Sequence, residues 1–321
     1  MKVKRLIAIV LMVAMAITLM AGCSSKEKVF KIGVNQYVTH AALDASYKGF
    51  VDALADAGYV DGEKIKIDLE NAQADQATAN TIATKLVNDN NDLILAIATP
   101  SAQAVANATK DIPILVTAVT DPAGSGLVAS NEAPGGNVSG TSDLTPIKGQ
   151  IELLTKLVPT AKTVAILYCS SESNSKIQAE MAKAACTEYG LTSMDATVST
   201  SNEIQQVVQS LVGKVDAIYA PTDNVIASGM ATVSMVANDN GIPIICGEEG
   251  MVDNGGLATY GIDYYKLGRL TGEQAVQIIE GKATTDTMPI AYLPADQYTL
   301  KINEDVAAKL GITIPEDLKA K

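Results

Sequence analysis

Polar residues that could bind a small charged group follow predicted strands at two places in the chain. Thr99-Pro100-Ser101 comes after the apolar run 93–98 and begins a predicted helix. The hydroxyls and the free N–H groups of a first helical turn converge on one point, which favours an anion. Asp223 follows a second apolar run, and a carboxylate there suits an ammonium group. Both sites also have a purely structural explanation, because Ser101 and Asp223 are residue types that commonly cap helices.

The elements that must position these residues repeat along the chain. A predicted strand that starts at Lys31 leads into a helix ending at Gly58, and a predicted strand that starts at Thr163 leads into a helix ending at Gly190. Two further pairs of strand-and-helix steps match in the same order. This pattern predicts an α/β fold of two doubly wound parallel-sheet lobes, each of which binds ligand at the carboxyl ends of its strands.

Three segments break the repeat: 135–146, 255–263 and 291–298. They are rich in turn residues or lie between matched units, so they predict three crossings that form a hinge. The expected lobes are 29–142 with 264–292, and 146–260 with 297–321.

The first residues predict export from the cytoplasm. Lys2, Lys4 and Arg5 precede an apolar run that is shorter than a spanning helix, which is typical of a signal peptide covering 1–22. Small residues before Cys23 resemble a bacterial lipobox, in which that thiol carries lipid. The expected protein is therefore extracytoplasmic and lipid-anchored through a linker at 23–28; the alternative is ordinary signal cleavage that releases it.

Composition excludes several other functions. A net charge of −12 without a basic cluster argues against nucleic acid as a partner. One histidine, His40, and no Cys/His/carboxylate spacing predict neither a metal site nor a cofactor. Cys169, Cys186 and Cys246 remain after Cys23 and are expected to pack in the core.

An enzyme is an alternative that the motifs disfavour. The run that starts at Gly124 matches G-x-G-x-x-A but does not follow a strand, and no G-x-S-x-G turn occurs.

Several stretches in order resemble the type I periplasmic-binding-protein fold, and within it the lipoprotein subgroup that imports tryptophan, tyrosine or other amino acids through ABC transporters. They are Ile32-Gly33-Val34 with His40 and Leu43-Asp44, Ala98 to Ala104, Ala118 to Pro122, Asn137 to Asp143, Pro221 to Asn224, and Ile262 to Gly268. The resemblance implies a monomer that captures a small solute and delivers it to an ABC permease and its ATPase. A lipoprotein that senses the ligand for a membrane receptor is an alternative that the residues do not separate from transport.

The resemblance also implies a ligand site between the lobes. It assigns the ligand carboxylate to Ser101, Thr99 and one hydroxyl of Thr117 or Thr120, and the ammonium to Asp223 with help from Glu248 or Glu249. Further expected contacts are Asp44 near the first strand, Ser142 and Asp143 at the first crossing, Asn224 beside Asp223, and Asn174 with Ser175 at a second-lobe helix start.

Aromatic residues near strand ends or crossings are candidates for stacking on a ligand ring. These are Tyr37, Tyr219 and Tyr260. The chain has no tryptophan and only two phenylalanines, so an amino acid is expected rather than a sugar. Tryptophan, tyrosine, phenylalanine, another amino acid and a nucleoside-like solute stay open as ligands.

Overall fold

The computed structural model describes residues 29–319, which form two lobes with one six-stranded sheet each. Cys23 and the predicted signal peptide lie outside the described residues. In chain order the strands are β1 (Phe30–Gln36), β2 (Ile65–Asn71), β3 (Leu93–Ile97), β4 (Ile114–Thr117), β5 (Val138–Ser142), β6 (Thr163–Cys169), β7 (Thr192–Val198), β8 (Ala217–Ala220), β9 (Ile244–Cys246), β10 (Ala258–Gly261), β11 (Ala291–Tyr292) and β12 (Thr299–Ile302).

Helices cover both sheets. They are α1 (Ala41–Asp56), α2 (Gln76–Asn88), α3 (Thr99–Ala108), α4 (Ile147–Leu157), α5 (Ser173–Glu188), α6 (Ile204–Ser210), α7 (Asn224–Ser228), α8 (Met230–Asp239), α9 (Glu249–Asp253), α10 (Tyr264–Ile279) and α11 (Glu304–Lys309). Among residues 29–319, no helix has the length and the apolar character that crossing a membrane requires.

The two sheets have the same strand order. The first runs β11-β5-β4-β3-β1-β2 and the second β12-β10-β9-β8-β6-β7. All neighbours pair in parallel except β10 and β12, which pair antiparallel. The predicted fold of two doubly wound α/β lobes is confirmed.

The strands are continuously apolar because helices bury both faces of each sheet. In β8, Ile218 and Ala220 pack into one core of the second lobe, whereas Ala217 and Tyr219 pack into the core on the opposite face. Cys169, Cys186 and Cys246 are free and buried, which confirms the prediction that they pack in the core.

The chain passes between the two sheets three times. The passages follow β5, β10 and β11, within the three segments that break the sequence repeat. The first of these segments contains a strand where turn residues predicted only a connection. Gly140 lies in β5 with a φ of 137°, and a side chain there would overlap the backbone of Val116 in β4. The glycine therefore permits the close approach of two strands, and it does not form a turn.

Helices α1 and α10 pack with their backbones in contact. A Cβ on Gly49 would overlap the carbonyl of Tyr265, and one on Gly268 would overlap the carbonyl of Ser46. The two helices begin beside each other, directly after His40 and at Tyr264. This packing fixes the rings of His40 and Tyr264 at the edge of the first lobe.

Candidate functional site

A small, largely enclosed cavity lies between the lobes, where the carboxyl ends of both sheets face each other. The first lobe and the crossings contribute His40, Leu43, Ala118, Thr120, Asp143 and Tyr264; the second lobe contributes Asn174, Thr222, Asp223, Asn224, Ala227 and Glu248.

The backbone is strained where the first lobe meets the cavity. Ala118, directly after β4, has a φ of 54°, and Ala98, directly after β3, has a φ of 78°. Alanine rarely adopts these conformations, and such residues concentrate at ligand sites held in place by the surrounding fold.

Asp143 is a buried carboxylate at the first crossing. Its Oδ2 accepts a hydrogen bond from the hydroxyl of Tyr264 over 2.7 Å, whereas its Oδ1 has no partner. Burial raises the pKa of Asp143. A cationic ligand group at Oδ1 would offset that burial and stabilise the ionised form.

Glu172 and Asp223 form a pair of buried carboxylates in the second lobe. Glu172 accepts hydrogen bonds from the side chains of Asn224 (2.5 Å) and Asn174 (3.2 Å) and from the N–H of Val225 (3.3 Å). Burial, and then the negative charge of Asp223, raise the pKa of Glu172.

Backbone donors already occupy the carboxylate of Asp223. Its Oδ1 accepts from the N–H of Ile226 over 2.8 Å, and its Oδ2 accepts from the N–H of Cys169 over 2.5 Å. Asp223 is thus the N-cap of α7, as its structural explanation predicted, and it also lines the cavity.

Glu248 and His40 complete the ionisable wall of the cavity. Glu248 caps α9 by accepting the N–H of Gly250 over 2.6 Å, and burial raises its pKa to about 7. His40 lies 3.5 Å from the side-chain oxygen of Asn224, and burial lowers its pKa to about 4. His40 is therefore neutral at pH 7.

Side chains of the two lobes touch directly around the cavity. Gln103 donates to Ser173 over 3.1 Å, and Gln178 donates to Thr120 over 3.3 Å. Together with the approach of His40 to Asn224, these contacts hold the lobes in a closed arrangement.

Six of the side chains predicted from the sequence line the cavity. They are Thr120, Asp143, Asn174, Asp223, Asn224 and, of the two alternatives Glu248 and Glu249, Glu248. All of them follow the carboxyl end of a parallel strand or lie at the first crossing, as the fold prediction requires.

The other hydroxyls lie behind the cavity wall. Ser101 donates to the side chain of Asn35 over 2.9 Å inside the first lobe, and Ser142 donates to the carbonyl of Thr120 over 2.7 Å. Thr117 accepts from Thr141 over 3.2 Å in the same core. Thr99 is buried without a hydrogen-bond partner and is not part of the wall. Helix α3 begins at Thr99, so Ser101 does not cap it either.

The remaining predicted contacts also lie elsewhere. Tyr219 is fully buried, and its hydroxyl donates to Gln150 over 2.7 Å in the second-lobe core. Tyr37 is buried and donates to the carbonyl of Ala74 over 3.0 Å. Asp44 accepts from Gln36 over 2.7 Å, and Glu249 lines an adjoining groove that shares Glu248 and Tyr264 with the cavity. In this arrangement a ligand in the cavity would not contact them.

Glu172 and Tyr264 were not among the site residues predicted from the sequence, His40 had no predicted role, and Glu248 was one of two choices. Glu172 follows β6 at the position that Asp223 holds after β8. Both residues stand three positions after a strand end, and that position was the signal that could have identified Glu172.

A family model described as ABC transporter substrate binding protein matches residues 31–321. The chain belongs to this family. As an ABC transporter substrate-binding protein it acts outside the cytoplasm, which agrees with the predicted export.

Relatives of this substrate-binding protein are named for binding amino acids. A tyrosine-binding protein of Clostridioides difficile (strain R20291) is 46% identical over 325 residues, which cover 97% of this chain and 93% of the relative. A Streptococcus pneumonia ABC domain solved in complex with L-Trp is 44% identical with a TM-score of 0.87, covering 90% of this chain and 97% of the other.

A third relative shows which arrangement of lobes is present. A ligand-free, open substrate-binding protein with adhesive properties from Clostridium difficile is 49% identical, with coverage of 90% and 97%, yet its TM-score is only 0.68. The structure is therefore more similar to the relative with L-Trp than to the open one, despite lower identity. This agrees with the direct contacts between the lobes.

Proposed function

We propose that this substrate-binding protein captures an aromatic amino acid between its lobes and delivers it to the permease and ATPase of an ABC importer. One observation carries the ligand proposal: Asp143 places a buried carboxylate oxygen without a partner at the closed cavity between the lobes. An α-ammonium group supplies the missing donors. The names of the two amino-acid-binding relatives support the same ligand class.

The proposed ligand contacts differ from the sequence prediction both at the ammonium group and at the ring. Asp143, together with the side-chain oxygen of Asn174, takes the ammonium in place of Asp223, whose oxygens are filled by backbone donors. The rings of Tyr264 and His40, with Leu43 and the small Ala118 and Ala227, supply the surface for the aromatic side chain.

We propose that residues 29–142 with 264–292 and residues 146–260 with 297–321 move as the two rigid lobes. The segments between them are then the hinge. Ligand contacts from both sides raise the population of the closed form, which the permease recognises, by the ligand's differential affinity for it.

The chain contains no tryptophan, which allows a direct test of the ligand. Selective indole excitation reports bound L-tryptophan alone, and we expect a shifted emission that excess L-tyrosine reverses. A thermal-shift panel checks the other amino acids, since a ligand at about 100 times its Kd adds about 2.7 kcal/mol to stability. No shift with tyrosine, tryptophan or phenylalanine would refute the ligand class.

We further propose that Cys23 carries the lipid anchor. The Cys23→Ser protein should be found in the medium, whereas the natural protein should stay with the membrane fraction. If both proteins distribute equally between medium and membrane, the proposal of a lipid anchor at Cys23 is wrong. Transport is tested separately, by ligand-dependent stimulation of ATP hydrolysis in the reconstituted importer.

A further inference from the structure

We propose that the cavity recognises its ligand chiefly as a primary ammonium group, so that aromatic amines without an α-carboxylate are also ligands. This inference rests on the proposed function and extends its ligand class from aromatic amino acids to the corresponding amines.

Most side-chain donors of the cavity wall are already used by protein acceptors. The hydroxyl of Thr120 accepts from Gln178 and lies beside Asp143. The hydroxyl of Tyr264 donates to Asp143 and that of Thr222 to Gln178. The amide nitrogen of Asn174 faces Glu172, Ser175 and the carbonyl of Thr222, and that of Asn224 faces Glu172. A ligand carboxylate would compete with these contacts.

The wall atoms without a partner are acceptors. They are Oδ1 of Asp143, Oδ1 of Asn174 and Nδ1 of His40. The tautomer of His40 follows from its neighbour: the amide nitrogen of Asn224 donates to Glu172, so its oxygen faces His40 Nε2. Nε2 then carries the proton and Nδ1 has a free lone pair. A primary ammonium offers three donors, which match these atoms in number and kind.

Two helix starts that could hold an anion are filled by the protein itself. At α7, Asp223 accepts the N–H of Ile226, and at α9, Glu248 accepts the N–H of Gly250. Backbone donors of this kind are where a ligand carboxylate would otherwise bind.

Carboxyl groups dominate the ionisable residues around the cavity. Asp143, Asp223 and Glu248 line it, and Glu172 lies behind Asn174 and Asn224, each at most 4% exposed. None of the lining residues in the described part of the chain is lysine or arginine. A cationic ligand group would stabilise the ionised forms of these acids, whereas a ligand carboxylate would add a further negative charge beside them.

The test compares three probes of equal ring structure by isothermal titration calorimetry on the mature protein: L-tyrosine, tyramine and 3-(4-hydroxyphenyl)propionate. We expect tyramine to bind within about tenfold of L-tyrosine, and the acid to bind at least about 100-fold more weakly, because it leaves the buried carboxylates without a cation. The tryptophan series, with tryptamine and indole-3-propionate, is the parallel set.

Asp143→Asn separates recognition from stability. It keeps an oxygen for Tyr264 but removes the charge, and we expect both tyrosine and tyramine to lose about 100-fold in affinity. Asp263→Asn is the matched control: this exposed carboxylate lies at the second crossing, caps α10 and is outside the cavity. The affinities of the Asp263→Asn protein for tyrosine and tyramine should stay unchanged.

Each outcome has one meaning. If tyrosine binds and tyramine binds more than about 100-fold more weakly, the carboxylate carries recognition and the inference is wrong while the proposed function stands. If neither series binds in any form, the proposed function itself fails.

Discussion

The hydroxyl of Tyr264 donates a 2.7 Å hydrogen bond to Oδ2 of Asp143 and so joins two of the three crossings. Asp143 follows β5 at the first crossing, and Tyr264 begins α10 directly after the second. Both side chains are buried and both line the cavity. One hydrogen bond therefore orients the proposed ammonium site and connects it to the hinge.

Tyr264→Phe should lower both stability and ligand affinity. The change removes the donor to a buried carboxylate, which should cost about 1–3 kcal/mol in the free energy of unfolding. Urea denaturation and calorimetric titration measure the two effects. Tyr265→Phe is the matched control, because the hydroxyl of Tyr265 donates to Asp52 near the surface. We expect this change to lower the free energy of unfolding by less than about 0.5 kcal/mol. Equal losses in both variants would contradict a special role for Tyr264.

Glu248 should make the closed protein less stable as pH rises. Burial raises its pKa from 4.5 to about 7, so the folded state favours the protonated form. That contribution is complete below about pH 4.5 and is lost as pH rises through about 7. Relative to Glu248→Gln, the natural protein should lose on the order of 2–3 kcal/mol across this window.

The check is the free energy of unfolding between pH 4 and pH 8 for both proteins. Asp143, Glu172 and Asp223 share the sign of this effect, so only the difference between the two curves tests Glu248. Glu132→Gln, in an exposed loop, should leave the curve unchanged. Parallel curves for Glu248→Gln and the natural protein would contradict the prediction.

Tyr219→Phe should affect stability without affecting ligand binding. The hydroxyl of Tyr219 donates to Oε1 of Gln150 in the second-lobe core, and its loss leaves a buried acceptor unpaired, at a cost of about 1–3 kcal/mol. Thermal unfolding and the Kd for L-tyrosine are measured on the same sample. A large change in Kd with unchanged stability would indicate that Tyr219 contacts the ligand.

Gly268→Ala should destabilise the first lobe. The added methyl group would overlap the backbone of Ser46 in α1, and such overpacking typically costs about 1–3 kcal/mol. Gly149→Ala is the control within a helix, because its Cβ would meet the nearest atom at an ordinary 3.7 Å. It should gain up to about 1 kcal/mol from helix propensity, and chemical denaturation distinguishes the two signs.

Strand and helix periodicity was sufficient to predict the two-lobed α/β fold and the sheet edge at which the cavity lies. These features depend on local apolar patterns and on the handedness of parallel connections. The same reasoning placed Thr120, Asp143, Asn174, Asp223 and Asn224 at that edge, where the structure has them.

The direction of each side chain was not predictable in this way. Ser101 follows its strand as expected, but its hydroxyl turns toward Asn35 instead of the cavity. Tyr219 lies on a strand with two buried faces, so strand alternation alone does not tell whether a residue meets ligand or core.

The sequence by itself determined what kind of protein this is, because compartment signals, apolar periods and ordered motifs are properties of neighbouring residues. Only the tertiary structure decided which carboxylate is free to meet a ligand. Asp143 and Asp223 are the same residue type at similar places. They differ because backbone N–H groups donate to both oxygens of Asp223, whereas Oδ1 of Asp143 has no partner. Such a difference depends on distances of about 3 Å between distant segments, which no local pattern specifies.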